Sequence, residues 1–223
     1  MDRIPEHDLM DTAEQAEAYA ETDFSEAHDA FVSCYGSRFP DFSEGDALAL
    51  DLGCGTADVI IRFARAYPKA RITGIDGAQA MLDIGMRDVE LKGHSHQIRL
   101  QKCLLPDNKL QTIKFDAVIS NSLLHHLDDP LVIWETVKHC AKPGAPVFIM
   151  DLMRPDSIET AKGLVELHAA DAPDILKKDF YSSLLAAYTT EEVRQQLKEA
   201  DIYNLTVEIV SDRHLVVWGR NDE

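Results

Sequence analysis

The chain has few basic residues, no paired cysteines and no long apolar run. Its 223 residues include 22 Lys and Arg against 39 Asp and Glu, which gives a formal net charge of −17. This charge repels nucleic acid phosphates and anionic membrane surfaces. No apolar stretch approaches the length of a membrane span. We therefore expect neither nucleic acid nor membrane as a partner.

The four cysteines are scattered, with no C-x-x-C pair and no framework spacing. The first residues, Met1 to Glu6, have neither the positive start nor the apolar core of a signal peptide. We therefore expect a cytoplasmic protein, in a compartment where thiols stay reduced. The chain length suits one well-buried domain, and we see no internal repeat.

The apolar pattern predicts one or two helices between residues 8 and 38, followed by alternating strands and helices. The predicted strands are 47–52, 70–75, 97–102, 115–120 and 145–151. The predicted helices between them are 57–67, 78–91 and 129–141. This alternation favours a parallel sheet with helices on both faces.

The C-terminal part breaks the alternation. Thr189 and Glu192 have the spacing of a capping box, which predicts a helix from there to about Ala200. Two β-rich runs follow, Leu205 to Val210 and His214 to Trp218, with three residues between them. We expect these two runs to pair as a hairpin.

The most informative segment is the apolar strand ending at Leu52 that leads directly into Gly53, Cys54 and Gly55. Glycines let the backbone turn sharply and approach a ligand closely, and the free amides of the following helix favour an anion. Asp76 ends the next strand about twenty residues on, where a carboxylate can accept two hydrogen bonds from a ribose diol. The arrangement predicts a site for an adenosine.

A dinucleotide is the competing ligand. Its G-x-G-x-x-G fingerprint needs a third glycine where this chain has Asp58, so a pyrophosphate would meet a carboxylate. Asp51, just before the loop, suits a ligand with an ammonium group better than a diphosphate. An NAD-dependent oxidoreductase is therefore the less favoured alternative.

Asp51 to Thr56 and Gly74 to Asp76 resemble the first two signature segments of the class I S-adenosylmethionine-dependent methyltransferases. The resemblance extends from about Asp46 to Gly219. It implies an α/β fold, namely a doubly wound, mostly parallel seven-stranded Rossmann-like sheet with a C-terminal antiparallel hairpin and an N-terminal helical lid. It implies S-adenosylmethionine as the cofactor and S-adenosylhomocysteine as the product.

We expect a single methyltransferase domain over residues 1–223. Within it we assign a helical cap to 1–45, a cofactor-binding core to 46–155, and substrate-cover helices with the terminal hairpin to 156–223. The function that the resemblance implies is methyl transfer to a small-molecule acceptor by in-line displacement. A non-catalytic S-adenosylmethionine-binding sensor or partner protein is the other alternative, and the acceptor atom and the oligomeric state stay open.

The candidate cofactor residues follow the family pattern around the glycine loop and the neighbouring strand ends. Gln101 takes the place of an acid that similar enzymes put near the adenine amino group, and its amide oxygen can accept that hydrogen bond. Backbone groups around Cys103 and Leu104 are the alternative. The predicted cofactor-binding residues are Tyr19, Asp51, Gly53, Cys54, Gly55, Asp76, Gly77, Met81, Gln101, Cys103 and Asn121.

His125 and His126 are the candidate catalytic residues, in a segment that resembles the Leu-His-His-Leu sequence of small-molecule methyltransferases. A histidine near neutral pKa suits a general base for a hydroxyl, thiol or ammonium acceptor. Adjacent side chains on a helical turn point about a hundred degrees apart, so we expect at most one to face the ligand. The alternative is a histidine that hydrogen-bonds backbone beneath the loop. We predict no metal site, because neither this pair nor His94 and His96 has a further partner at ligand spacing.

Substrate contacts are expected from the end of the fifth strand, from the following cover segment and from the N-terminal side. Asp151 and Arg154 either touch the substrate or pair with each other. Phe180, Tyr181 and Tyr188 form an aromatic wall or belong to the core. Tyr19 and Phe24 close the site from the N-terminal side. The predicted substrate-binding residues are Phe24, Asp151, Arg154, Tyr181 and Tyr188.

Overall fold

The computed structural model describes residues 1–6, 10–107 and 110–222. The strands within these ranges are β1 (Leu48–Leu52), β2 (Arg71–Asp76), β3 (Ile98–Lys102), β4 (Ala117–Asn121), β5 (Pro146–Leu152), β6 (Leu205–Ile209) and β7 (His214–Arg220). The α-helices are α1 (Ala13–Glu21), α2 (Ser25–Arg38), α3 (Asp58–Ala66), α4 (Gln79–Leu91), α5 (Leu131–Cys140), α6 (Ile158–His168), α7 (Asp174–Ala186) and α8 (Thr190–Glu199). Short 3₁₀ turns lie at Pro40–Glu44, Leu110–Thr112 and Leu124–His126.

The strands form one sheet in the order β3-β2-β1-β4-β5-β7-β6. The first five strands run parallel, and β7 pairs antiparallel with both β5 and β6. The predicted fold class is confirmed, including the C-terminal antiparallel hairpin. Because the chain order reverses between β1 and β4, the crevice at their carboxyl ends is where such a sheet places a ligand.

The sheet is central because its middle strands are apolar on both faces. All seven residues of β5 are buried, as expected for a strand covered on both sides. One face packs against α5 and α8, where Trp134 is fully buried and its Nε1 donates to Gln196 Oε1 at 3.1 Å. The other face packs against α2, α3 and α4.

The two N-terminal helices have different positions. α2 belongs to the packed core, since Tyr35 and Phe31 are fully buried and contact the rings of Phe63 and Phe148. α1 contacts α4 and α7 instead, and places Tyr19 over the carboxyl end of the sheet. Of the two, only α1 has the position expected of a lid.

The predicted elements agree with the structure to within about two residues at most ends. The capping box is present, because Thr189 Oγ1 accepts from Glu192 N at 3.2 Å and Glu192 Oε2 accepts from Thr189 N at 2.8 Å. The helix predicted from residue 8 begins at Ala13 with Thr12 as its cap, and residues 7–9 lie outside the described part of the chain. No helix in that described part is long and apolar enough to cross a bilayer.

Candidate active site

The glycine loop after β1 is tied to the end of β2. Gly53 N and Cys54 N both donate to Ile75 O, at 2.8 and 2.9 Å. Gly53 has a φ of 74°, in the region that favours glycine. A Cβ atom there would lie 2.9 Å from Leu123 Cβ, closer than carbon atoms pack. The loop therefore requires glycine at this position for both conformation and space.

Asp76, at the end of β2, is held by the same loop. Its Oδ2 accepts from Gly55 N and its Oδ1 from Ala78 N, both at 2.8 Å. Burial raises the pKa of Asp76 above its ordinary value, although these backbone hydrogen bonds oppose the rise. Each carboxylate oxygen keeps further acceptor capacity, and the side chain lines a cavity at the carboxyl ends of the strands. Asp76 is thus a fixed acceptor that a ribose diol fits.

Asp51, in β1, is almost completely buried, with 1% of its surface exposed. Its Oδ1 has no hydrogen-bond partner among the described residues. Burial and the nearby charge of Asp76 raise the pKa of Asp51 well above its ordinary value. A buried carboxylate without a partner is costly, and a cationic group brought to the loop would relieve that cost. This orphaned oxygen fits a ligand that carries an ammonium group.

A cavity of about 1040 Å³ opens at the carboxyl ends of the strands. Its walls come from the glycine loop, the ends of β2 and β4, and the helices α1, α2 and α7. Small-molecule cavities typically measure about 300–1,000 Å³. The cavity lies at the top of this range, so it is large enough for a cofactor together with a small acceptor.

His125 is held by Asp151, the residue before the end of β5. Asp151 Oδ1 lies 2.5 Å from His125 Nδ1 and also accepts from Leu152 N at 2.7 Å, while its Oδ2 accepts from Leu124 N at 2.7 Å. Since a carboxylate only accepts, Nδ1 carries the proton of that bond and Nε2 is left as the acceptor nitrogen. Asp151 is 1% exposed and does not line the cavity, so it orients the histidine from behind.

His126 also lines the cavity, which corrects the expectation that at most one of the two histidines faces it. The two rings have centroids 4.1 Å apart. They lie on the short turn Leu124–His126, here called the histidine turn. This turn protrudes into the cavity, so side chains that leave it in different directions line the same cavity. Burial, with a smaller effect of His125, lowers the pKa of His126 well below its ordinary value.

Most of the predicted cofactor residues come together. Those predicted residues that line the cavity are Tyr19, Phe24, Gly53, Gly55, Asp76, Gly77, Met81, Cys103, Asn121, His125 and His126. The rings of Tyr19 and Phe24 are in contact, with centroids 4.7 Å apart. Cys54 is buried and, like Asp51 and Asp151, lies behind the wall rather than in it.

Four predicted contacts lie elsewhere. Gln101 is exposed and does not line the cavity, whereas Cys103 and Leu104 do, so the placement favours the backbone alternative. Leu100, the residue before Gln101 in β3, points to the other face of the sheet and packs near Gly85. Tyr181 is only partly buried and is likewise outside the lining.

Arg154 does not pair with Asp151 and does not line the cavity. Its Nη2 donates to Glu192 Oε1 at 2.6 Å and its Nη1 donates to Ala187 O at 3.2 Å. Tyr188 is buried, and its hydroxyl donates to Leu127 O at 3.2 Å. Arg154 therefore joins the segment after β5 to the start of α8, and Tyr188 joins the segment after α7 to Leu127.

Sequence reasoning missed Glu6, His214 and the apolar side chain of Leu123. Glu6 lies 3.8 Å from His126, measured from Oε2 to Nδ1. His214 and Leu123 line the cavity. Glu6 belongs to a segment with no periodic pattern, so no local signal points to it. Of the expected aromatic wall, Phe180 is the member that lines the cavity.

Asp58, which occupies the place of the third fingerprint glycine, begins α3. It accepts from His28 Nδ1 at 2.7 Å and from Arg62 Nε at 2.8 Å. The His28 hydrogen bond and then Arg62 hold the pKa of Asp58 well below its ordinary range despite partial burial. The carboxylate is thus ionised at the helix start that a dinucleotide pyrophosphate would need.

The strand order, with the antiparallel β7 between β5 and β6, is that of the class I S-adenosylmethionine-dependent methyltransferase fold. Comparison with known proteins agrees: residues 50–147 match a family described as a methyltransferase domain. The resemblance inferred from the sequence is therefore confirmed.

Among individual proteins, a demethylmenaquinone methyltransferase of Bacillus velezensis is 33% identical over 111 residues, which cover 49% of this chain and 47% of that protein. The chain thus spans about half the length of the curated relatives it matches. A SAM-dependent methyltransferase from Aquifex aeolicus superposes with a TM-score of 0.65 at 19% identity, over 92% of this chain and 97% of the other. The plantazolicin methyltransferase BpumL, solved with a pentazolic desmethylPZN analog and SAH, superposes at 0.69 with 16% identity, over 95% and 90% of the two chains. These two likenesses show the fold.

Proposed function

We propose that this protein transfers a methyl group from S-adenosylmethionine to a small-molecule acceptor. The observation that carries the proposal is the pair of carboxylates at the glycine loop. Asp76 is a fixed acceptor in the cavity wall, and Asp51 is a buried carboxylate whose Oδ1 lacks a partner. A ribose diol and an ammonium group are the complements of these two sites, and S-adenosylmethionine has both.

The loop itself selects against a diphosphate. Asp58, ionised and hydrogen-bonded by His28, stands at the start of α3. The charge of Asp58 would repel the pyrophosphate of a nicotinamide dinucleotide, so the oxidoreductase alternative is disfavoured by charge.

Bound S-adenosylmethionine supplies a methyl group already activated by its sulfonium charge. The protein's part is to hold the acceptor in line with that methyl group and to keep water out. The rings of Tyr19 and Phe24 pack against each other at the N-terminal side of the cavity, and Phe180 lines the cavity from α7. The volume beyond the glycine loop leaves space for the acceptor.

The histidine turn is the place where an acceptor proton would be removed. His125 Nε2 is the acceptor nitrogen of a ring that Asp151 orients, and His126 lies beside it. This arrangement supports acceptors whose hydroxyl, thiol or ammonium group must lose a proton. The related Bacillus velezensis protein is named for a quinone, demethylmenaquinone, which makes hydroxylated aromatic compounds a sensible first acceptor panel.

The test is calorimetric titration with S-adenosylmethionine, S-adenosylhomocysteine and NADH in parallel, on the wild type and on Asp76→Asn. Asp83→Asn is the matched control, because Asp83 is an exposed acid of α4. We expect both adenosyl ligands to bind, with affinity lowered at least about tenfold in Asp76→Asn and unchanged in the control.

Turnover is then measured as S-adenosylhomocysteine release with the acceptor panel. Binding of NADH alone, or of no ligand, would refute the proposal. Tight adenosyl binding with no turnover on any acceptor class would favour the non-catalytic alternative instead.

A further inference from the structure

We propose that Glu6, His125 and His126 form a binding site for a divalent transition metal ion, zinc first, in the wall of the cavity. One ligand atom from each of the three side chains lies within 4.8 Å of the other two. Two imidazoles and one carboxylate are a donor set of open zinc sites, which keep a position for water or substrate. The sequence predicts no such site because its third ligand, Glu6, is far from the two histidines in sequence.

His125 is already oriented as metal-binding histidines are. Its Nδ1 donates to the buried Asp151, which leaves Nε2 as the ligand nitrogen. A carboxylate behind a ligating imidazole fixes the ring and its tautomer. Asp151 is fixed in turn by the backbone amides of Leu124 and Leu152.

His126 supplies an independent observation. Its Nδ1 is buried and has no hydrogen-bond partner among the described residues. The distance from this nitrogen to Glu6 Oε2 is 3.8 Å, too long for a hydrogen bond. In a tetrahedral zinc site with bonds of about 2.0–2.2 Å, two ligand atoms lie roughly 3.3–3.6 Å apart, so these two atoms would have to approach by only a few tenths of an ångström. A metal ion between the two atoms would give His126 Nδ1 a partner, while Glu6 keeps its hydrogen bond from Ser183.

Glu6 is brought to the site by the N-terminal strap, residues 1–6, which is anchored on the histidine turn and on α7. Arg3 Nη2 donates to His125 O at 2.9 Å, and Ile4 N donates to Leu185 O at 3.0 Å. The Glu6 carboxylate itself accepts from Ser183 Oγ at 2.9 Å. The third ligand is therefore placed by several contacts.

The role of the ion rests on the proposed function. An acceptor hydroxyl or thiol bound at the open position would be acidified by the metal and release its proton to solvent. The acceptor oxygen or sulfur then forms the new bond to the methyl carbon, the bond from that carbon to the sulfonium sulfur breaks, and its electron pair stays on sulfur. In this state the histidines are ligands, and the metal takes over the activation otherwise assigned to a histidine base.

The test is direct metal binding. Protein without a polyhistidine tag is stripped with a chelator and titrated with Zn²⁺ by calorimetry and with Co²⁺ by visible absorption. We expect one ion per chain, with affinity lowered at least about a hundredfold in Glu6→Gln and in His126→Gln. His96→Gln is the control for surface histidines, because His96 is exposed and outside the cavity, and it should bind as the wild type does.

Circular dichroism and thermal unfolding check that each variant is folded. Absence of saturable binding, or wild-type affinity in either ligand variant, would overturn the proposal. The wild type is titrated with S-adenosylhomocysteine in parallel. That ligand should bind at the glycine loop and not through Glu6, His125 or His126. A protein that binds metal but no adenosyl ligand would thus refute the proposed function and leave the metal site standing.

Discussion

Asp151 and His125 form a buried pair whose nearest atoms are 2.5 Å apart, at the point where β5 ends beneath the histidine turn. The carboxylate also accepts from two backbone amides, so it fixes both the ring and the turn that carries it. The position of His125 in the cavity therefore depends on a residue that does not line the cavity.

Replacing Asp151 by Asn removes this orientation. We expect Asp151→Asn to lower the turnover number by about 10²-fold or more, because a wrongly oriented histidine neither accepts the acceptor proton nor binds a metal. Stability should fall by about 1–3 kcal/mol, since one amide partner is lost. Steady-state kinetics and denaturant unfolding measure the two effects.

Affinity for S-adenosylhomocysteine should stay nearly unchanged in Asp151→Asn, because the glycine loop is intact. Asp156→Asn, a change to an exposed acid beyond the same strand, is the control. Turnover like that of the wild type in Asp151→Asn would show that the reaction does not need His125 to be oriented by Asp151.

We expect Asp51 to stabilise the complex with S-adenosylmethionine and to destabilise the ligand-free protein. We expect Asp51→Asn to raise the unfolding free energy of the ligand-free protein by about 1–3 kcal/mol near neutral pH, because a buried acid whose Oδ1 has no partner among the described residues is replaced by a neutral amide. Affinity for S-adenosylmethionine should fall roughly tenfold or more, whether the ammonium group reaches Asp51 directly or through a bridging water. Denaturant unfolding and calorimetry test both.

The stability gain of Asp51→Asn should depend on pH. The folded-state pKa of Asp51 is raised, so between the ordinary aspartate pKa and this higher value the unfolded chain loses the proton that the folded protein keeps. The wild type is therefore destabilised as pH rises through that window, and the variant is not. An advantage of the variant that is equal at low and neutral pH would contradict the assigned cause.

The two loop glycines should respond differently to alanine. At Gly53 a Cβ atom would strike Leu123 at 2.9 Å, whereas at Gly55 no atom lies within 4 Å of that position, although φ is positive at both. We expect Gly55→Ala to cost about 1 kcal/mol of stability from conformation alone, and Gly53→Ala to cost about 2–4 kcal/mol because overpacking is added. Denaturant unfolding measures the loss of stability in both variants. Equal losses would show that Leu123 moves aside without a cost in free energy.

His214, which begins β7, provides a pH dependence that can be measured without ligand. Burial is the main cause that lowers its pKa from 6.5 to about 4. As pH falls below 6.5 the unfolded chain takes up a proton that the folded protein refuses until about pH 4. The titration of His214 should therefore lower the unfolding free energy by up to about 3 kcal/mol as the pH falls from 6.5 to about 4.

The matched variant for this effect is His214→Gln, which can keep the hydrogen bond to Ser211 Oγ. Unfolding free energies of both proteins are measured at several pH values between 4 and 7. The difference between them should change in this range, and parallel curves would exclude His214 as the source.

Much of the fold could be predicted from local sequence. The apolar strands, the capping box of Thr189 and Glu192, and the hairpin of β6 and β7 depend on residues close in sequence, and their positions agree with the structure. The glycine loop and Asp76 were also found, because a strand, a turn and a helix start have local signals.

Four predicted site residues lie outside the cavity lining for a common physical reason. Gln101, Arg154, Tyr181 and Tyr188 lie on the expected elements, but which way each points depends on partners elsewhere in the chain, such as Glu192 for Arg154. The roles of all site residues, and the division of the chain into cap, core and cover, stay predictions.

The sequence by itself determined the order of strands and helices, the glycine loop and the acids beside it, because hydrophobic period and turn chemistry act over a few residues. Tertiary structure decided the rest of the site. It placed Asp151 behind His125, turned both histidines into one cavity and brought Glu6 to them from the N-terminal strap. These contacts join residues far apart in the chain, and no local pattern specifies which distant side chain will fill a given space.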